Sequence, residues 1–285
     1  MVNVFTPELA LRLAQWVNLL FYNHIPEHKM KFYKFFTIIN LLLTALGWTQ
    51  SYPPPSTLVT VPSAGTLVRG SYALQLRVQK GGGLTSALNV GITDRFQFGL
   101  SFGSANLIGD DSLIWYPRPE ANLKYRLIDE TESVPGISLG IDTQGMGNFN
   151  SADSLMRYDV KAMGLYLAAS KNWVTPLGNL GVHAGTNYNF AEVEDGDKDV
   201  NYFFGLDMEF NPELSLLLEY NAALNENDMK ARTMAISRGG YLNAAIRWTF
   251  VEHLHIEIDF NNLLFDDEKV DYFQRELKIT YIEYF

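Results

Sequence analysis

Three groups of residues carry side chains that could do chemistry. His253, His255, Glu257 and Asp259 stand at every second position, so on an extended strand they share one face. Imidazoles and carboxylates in a row are ligands for a divalent metal. Neighbours on one face lie about 7 Å apart, however, which is wide for joint chelation. A polar strip that begins in a turn is the expected role, and no metal centre is assigned. Asp195, Asp197 and Asp199, preceded by Glu192 and Glu194, have the alternating acid spacing of part of a calcium loop. The glycine and the closing glutamate of that loop are missing, so a solvated acidic loop is expected. Such a loop could meet lipopolysaccharide through bridging cations. His183 with Ser170 or Ser101 would be the raw material of a hydrolase. No nucleophile motif surrounds either serine, and Lys80-Gly81-Gly82-Gly83 lacks the frame of a phosphate loop. No catalytic residue and no cofactor is assigned.

The elements that must position these residues are strands. From residue 68 onward the sequence alternates with period two. Leu214, Leu216, Leu218 and Tyr220 point one way, while Ser215, Glu219 and Asn221 point the other. Leu254, Ile256, Ile258 and Phe260 oppose His255, Glu257, Asp259 and Asn261 in the same manner. About twelve such segments are expected, at 68–79, 84–93, 96–104, 119–128, 136–145, 163–174, 178–190, 200–210, 214–224, 240–250, 254–264 and 273–285. Each is close to the 9–11 residues that a tilted membrane strand needs, roughly. The connections alternate too. Thr93–Arg95, Asp129–Pro135, Thr175–Leu177, Asn211–Glu213 and Val251–His253 are short; those between them are longer and more polar, except the tight Lys80–Gly83 turn. The pattern predicts an all-β fold: an antiparallel, up-and-down transmembrane β-barrel of about 12 strands.

If the apolar faces meet lipid, the others line a lumen. That lumen then holds the basic residues Arg77, Lys124, Arg126, Arg247 and Lys278. It also holds the acids Asp142, Asp207, Glu209, Glu219, Glu257 and Asp259. The signs nearly balance. Buried charges are costly unless paired, so a cross-linked and largely plugged interior is expected, and a wide selective pore is the alternative. Phe96, Trp173, Phe210, Trp248, Phe250 and Phe285 fall toward the periplasmic rim. Trp115, Tyr188, Phe190, Tyr202 and Phe265 fall toward the outer rim, where aromatic girdles belong.

The ends of the chain read as addresses. Met30-Lys31-Phe32-Tyr33-Lys34 followed by the apolar stretch Phe35–Leu46, with small Ala45 and Gly47, has the layout of a secretory signal. The expected organisation is an upstream mis-start or disordered segment (1–29), a signal peptide (30–50), a periplasmic N-terminal segment (51–67) and the barrel (68–285). A short amphipathic helix around Leu9–Tyr22 is the other reading of the first segment. At the far end Leu277, Ile279, Tyr281 and Phe285 share one face, which resembles the signal read by the outer-membrane barrel assembly machinery; Glu283 departs from it. The 285 residues contain no cysteine, so disulfides and thiolate metal sites are excluded. The net charge of −10 argues against nucleic acid as a partner.

Thr93-Asp94-Arg95-Phe96, Asn122-Leu123-Lys124-Tyr125-Arg126-Leu127 and Leu165–Trp173 resemble the YjbH-like outer-membrane proteins linked to exopolysaccharide production. The resemblance covers about half of the mature chain. It implies a non-enzymatic role in surface-polysaccharide secretion or envelope structure, with polysaccharide or its export proteins as partners besides lipid. It carries over no catalytic residue. A small-solute channel and an outer-membrane hydrolase are the alternative functions.

Overall fold

The computed structural model describes residues 55–151, 155–227, 239–264 and 274–285. The expected signal segment, the residues before it, 51–54 and Phe265 lie outside the described residues.

Fifteen strands are present: β1 (Ser71–Val78), β2 (Leu84–Thr93), β3 (Phe96–Ala105), β4 (Ile114–Trp115), β5 (Glu120–Ile128), β6 (Gly136–Asp142), β7 (Met146–Asn150), β8 (Arg157–Val160), β9 (Gly164–Thr175), β10 (Gly178–Tyr188), β11 (Asn201–Asn211), β12 (Leu214–Asn221), β13 (Tyr241–Val251), β14 (Leu254–Asn261) and β15 (Gln274–Tyr284). Twelve of them form an antiparallel ring in the order β1-β2-β3-β5-β6-β9-β10-β11-β12-β13-β14-β15. β15 pairs with β1 from Ser71↔Tyr284 to Val78↔Leu277 and closes the ring. Closure leaves no unpaired sheet edge, which is what lets a sheet cross a bilayer. The twelve ring strands follow the expected segments in number and order. The three extra strands lie in connections. β4 pairs briefly with β3, and β7 and β8 form a hairpin inside the stretch 146–162, which had been expected as an open loop.

Face alternation decides what goes where. On β12, Leu214, Leu216 and Leu218 are exposed while Leu217, Glu219 and Asn221 are buried. On β11, Tyr202, Phe204 and Leu206 are exposed while Asn201, Phe203 and Asp207 are buried. Outward leucines, isoleucines and aromatics recur on every side of the ring, with Phe204 56% and Leu100 50% exposed. An apolar belt of that extent is a lipid-facing surface rather than a wetted one. Aromatics flank it: Phe210, Trp248 and Phe250 are exposed toward the short-turn end, and Trp115, Phe190 and Tyr202 toward the long-loop end. Trp248 and Phe250 meet edge to face at 5.2 Å. Both Gly70 and Phe285 lie at the short-turn end, where the Phe285 N–H donates to the Gly70 carbonyl at 2.8 Å.

Candidate functional site

The interior is the site, and residues 55–67 fill its centre. This stretch had been expected to precede the barrel in the periplasm. It instead turns inside the ring: the Leu58 N–H donates to the Val61 carbonyl at 2.9 Å, and Thr57 bridges to Pro62. The reason is complementarity to the wall, of two kinds. Leu58, Val59 and Val61 form one buried cluster with Tyr166, Phe203 and Leu217, inward-facing apolar or aromatic side chains in a largely polar lumen. A Cβ at Gly205 would lie 2.0 Å from Leu58 Cδ1, so the absence of a side chain there makes the socket.

The second kind is electrostatic and runs mainly through the plug backbone. The Glu219 carboxylate accepts from the N–H groups of Val59, Thr60 and Val61, each at 2.9–3.0 Å, and from the Thr60 hydroxyl. Successive amides converging on one anion form a nest, and bonds to a charged group stabilise by about 1.5–3 kcal/mol each. The plug carbonyls face the cations. Val59 O accepts from Arg77 at 2.9 Å and from Lys278 at 3.0 Å, while Thr57 O accepts from Arg247 at 3.3 Å. Lys124 holds the Ser56 and Gly65 carbonyls, and Arg126 the Thr66 hydroxyl. Lys124 and Glu219 are 1% exposed.

Strand register assembles the remaining charges. Arg247 lies opposite Glu257, and Glu257 opposite Lys278, which lies opposite Arg77. Arg247 pairs with Glu257 at 2.5 Å, and Lys278 pairs with the other Glu257 oxygen. Asp259 takes Arg77 at 2.8 Å and Lys278 at 3.8 Å. Glu276, which face alternation also puts inside but which was not singled out from the sequence, pairs with Arg77 at 2.9 Å. Glu257 and Asp259 are therefore engaged by cations of the wall, while His255 contacts Thr249 at 2.9 Å and His253 stands against the Tyr284 ring. The remaining wall acids lie apart from this cluster. Asp142 accepts from Asn122 at 2.8 Å, and Glu209 from Asn179 at 3.4 Å.

Asp207 contacts His183 Nε2 at 2.5 Å, and His183 Nδ1 contacts Ser170 Oγ at 2.7 Å. The order Asp–His–Ser is that of a hydrolase triad, but the ring nitrogens are exchanged, with Nε2 on the carboxylate and Nδ1 on the serine. The three groups are buried, and Ser170 Oγ also accepts the Ala64 N–H of the plug at 2.8 Å. The relay therefore holds the plug rather than presenting a nucleophile. Ser101, on a different strand, donates to Gln144 at 2.9 Å.

A second buried cluster lies at the long-loop end. The acidic loop expected to be solvated is so only in part: Glu192, Asp195 and Asp197 are buried, while Glu194 and Asp199 are exposed. Arg157 of β8 pairs with Asp195 at 2.9 Å and with Glu226, and Lys161 pairs with Asp195 at 2.7 Å. The chain's own cations thus take the place a metal would fill. Glu192 accepts the N–H groups of Tyr158 and Ala162 at 2.7 and 2.6 Å, tying the β7–β8 segment to the connection between β10 and β11. Burial pushes the Glu192 carboxyl up to about 7 against those bonds.

No protein-family model matches the sequence, and no characterised protein matches it by sequence. Several solved barrels resemble it in backbone. The KdgM porin in complex with disordered oligogalacturonate is 14% identical, covering 74% of this chain and 98% of that one with a TM-score of 0.45. The NanC porin is 10% identical, covering 75% and 99% with a TM-score of 0.39. The outer membrane channel DcaP of Acinetobacter baumannii is 7% identical, covering 75% and 95% with a TM-score of 0.28. Superpositions this loose leave the fold to be read from the chain's own strand pairing, which defines a closed twelve-stranded membrane barrel.

Proposed function

We propose that the protein is an outer-membrane channel for small polar solutes, held closed by its own residues 55–67. The observation that carries this is a cavity of about 360 Å³ beside the plug. Its lining runs from Gln79, Met146 and Val160 near the long-loop end to Pro212 and Tyr284 near the short-turn end. Between them Gln75, Asn89 and Gln97 keep the wall polar. The plug is held by ion-to-backbone bonds and one apolar socket, both reversible. Mixed charge along the wall favours a route for small neutral or zwitterionic solutes over one filtered by a ring of a single sign.

The short-turn end faces the periplasm in this reading and the long loops face outward, as bacterial barrels are arranged. Lipid and lipopolysaccharide cover the apolar belt. Leu277, Ile279, Tyr281 and Phe285, on the seam strand β15, serve as the assembly signal. Glu283 is accommodated by the Tyr281 hydroxyl, which donates to it at 2.5 Å. The channel reading replaces surface-polysaccharide secretion as the first choice, because the cavity favours passage of small solutes and nothing in the wall selects a polymer.

Bilayer conductance tests it. The full chain should show rare, small openings. A variant lacking residues 55–66 should conduct steadily at several times the current. A deletion variant that migrates as a folded, heat-modifiable barrel but stays silent would sink the proposal.

A further inference from the structure

A second cavity, of about 260 Å³, lies at the long-loop end. Its chemistry differs from that of the charged wall. Six side-chain amides line it: Asn148, Asn221, Asn243, Asn261, Asn262 and Gln274. Tyr241 adds an aromatic wall, and Thr60, at the tip of the plug, reaches it from below. The amides come from the ends of β12 and β14, Asn262 just after β14, the starts of β13 and β15, and β7, so the ring's closure and the hairpin bring them together.

Two of these groups are incomplete. Asn261 and Asn262 are 6% and 5% exposed, and among the described residues the amide oxygen of each has no hydrogen-bond partner. Buried amide oxygens without partners are uncommon, because each gives up its bond to water for nothing in return. Asn262 is also held at a positive φ of 56°, a left-handed conformation that fixes the direction of its side chain. By contrast Asn243 is fully used: its amide donates to Glu219 at 2.8 Å, and its oxygen accepts the Asn262 N–H at 2.8 Å. The cavity thus has a rigid amide on its floor and unanswered acceptors on its rim.

From this we infer a binding site for an uncharged, hydroxyl-rich solute of monosaccharide size, entering from the long-loop side. Amides offer a donor and an acceptor on one planar group, which matches neighbouring hydroxyls, each itself donor and acceptor. The unpartnered oxygens require donors, and hydroxyls supply them. Glu276 and Asp159 also line the cavity, but Arg77 pairs with Glu276 at 2.9 Å and Lys80 lines the cavity with Asp159, so these charges are answered within the protein and a charged solute gains no partner for its desolvation. The site goes beyond conduction: it sits over Thr60, so its occupant touches the element that closes the lumen.

The test is calorimetric titration of the full chain in detergent with four probes of one ring size: glucose, N-acetylglucosamine, glucuronate and glucosamine. Glucose or N-acetylglucosamine should bind saturably, with glucuronate at least tenfold weaker. Asn261→Ala and Gln274→Ala should each weaken the uncharged sugar at least fivefold while the barrel stays heat-modifiable. Two separate variants keep the test decisive if one fails to fold. No saturable binding of either uncharged sugar, a preference for glucuronate or glucosamine, or unchanged affinity in the folded variants would overturn the site. The readout is independent of current, so a silent barrel that binds glucose would refute the channel and leave this site standing.

Discussion

The wall cluster around Glu257 and the cap cluster around Arg157 are both buried ion networks, but different parts of the chain build them. In the wall the two central acids each have two cations, and Glu276 at the edge has Arg77. Glu257 has Arg247 and Lys278, and Asp259 has Arg77 and Lys278. The strands carry these groups at fixed spacing, so losing one leaves the others in place. In the cap one fully buried guanidinium, that of Arg157, joins two connections by binding Asp195 and Glu226. Its position depends on the β7–β8 hairpin, which pairs only with itself. The contrast teaches that equal burial does not mean equal redundancy: a lattice on strands tolerates a gap, and a hub between loops does not.

The largest effect should come from the hub. Arg157→Ala leaves Asp195 and Glu226 buried with one cation fewer, and breaking such a pair costs about 3–5 kcal/mol. The β7–β8 segment should undock and become cleavable by protease, while the barrel remains heat-modifiable. A smaller loss is expected for Arg247→Ala, where Glu257 keeps Lys278: about 1–3 kcal/mol in denaturant unfolding from lipid. Equal losses for the two variants would break the contrast. The smallest effect is a dependence on pH, which sharpens the cap side. Glu192 is held up to about 7 in the docked cap, above the usual carboxylate range. The docked state therefore retains a proton that the undocked loop releases. Docking should be strongest below the usual carboxylate range and weaken as pH rises through about 7. Protease cleavage of the segment should accelerate from pH 5 to pH 8 in the wild type and stay flat in Glu192→Gln.

Residue by residue, the two clusters were unequally readable. Arg77, Arg247, Glu257, Asp259 and Lys278 were legible as lumen groups because face alternation needs only local sequence. Which of them meet was not, since pairing depends on register between strands. Leu217 carried an unread signal, an apolar residue among Ser215, Glu219 and Asn221 on the wet face, and it proved to be part of the socket for the plug. Arg157 and Lys161 gave no comparable signal. They lie in a stretch that reads as a polar loop, and the partners of Arg157 arrive from connections 38 and 69 residues away.

What the sequence determined by itself was the barrel: twelve alternating stretches, a greasy and a wet face on each, and connections that alternate in length. Those are properties of period-two strands and of turn residues, written within a few positions of each other. What only the tertiary structure decided was the content of the lumen. Glu219 meets the amide of Val59 across 160 residues, and it does so through backbone groups that every residue but proline carries. A contact between a charged side chain and a peptide group leaves no mark in the side chains of the plug, so only closing the ring could reveal it.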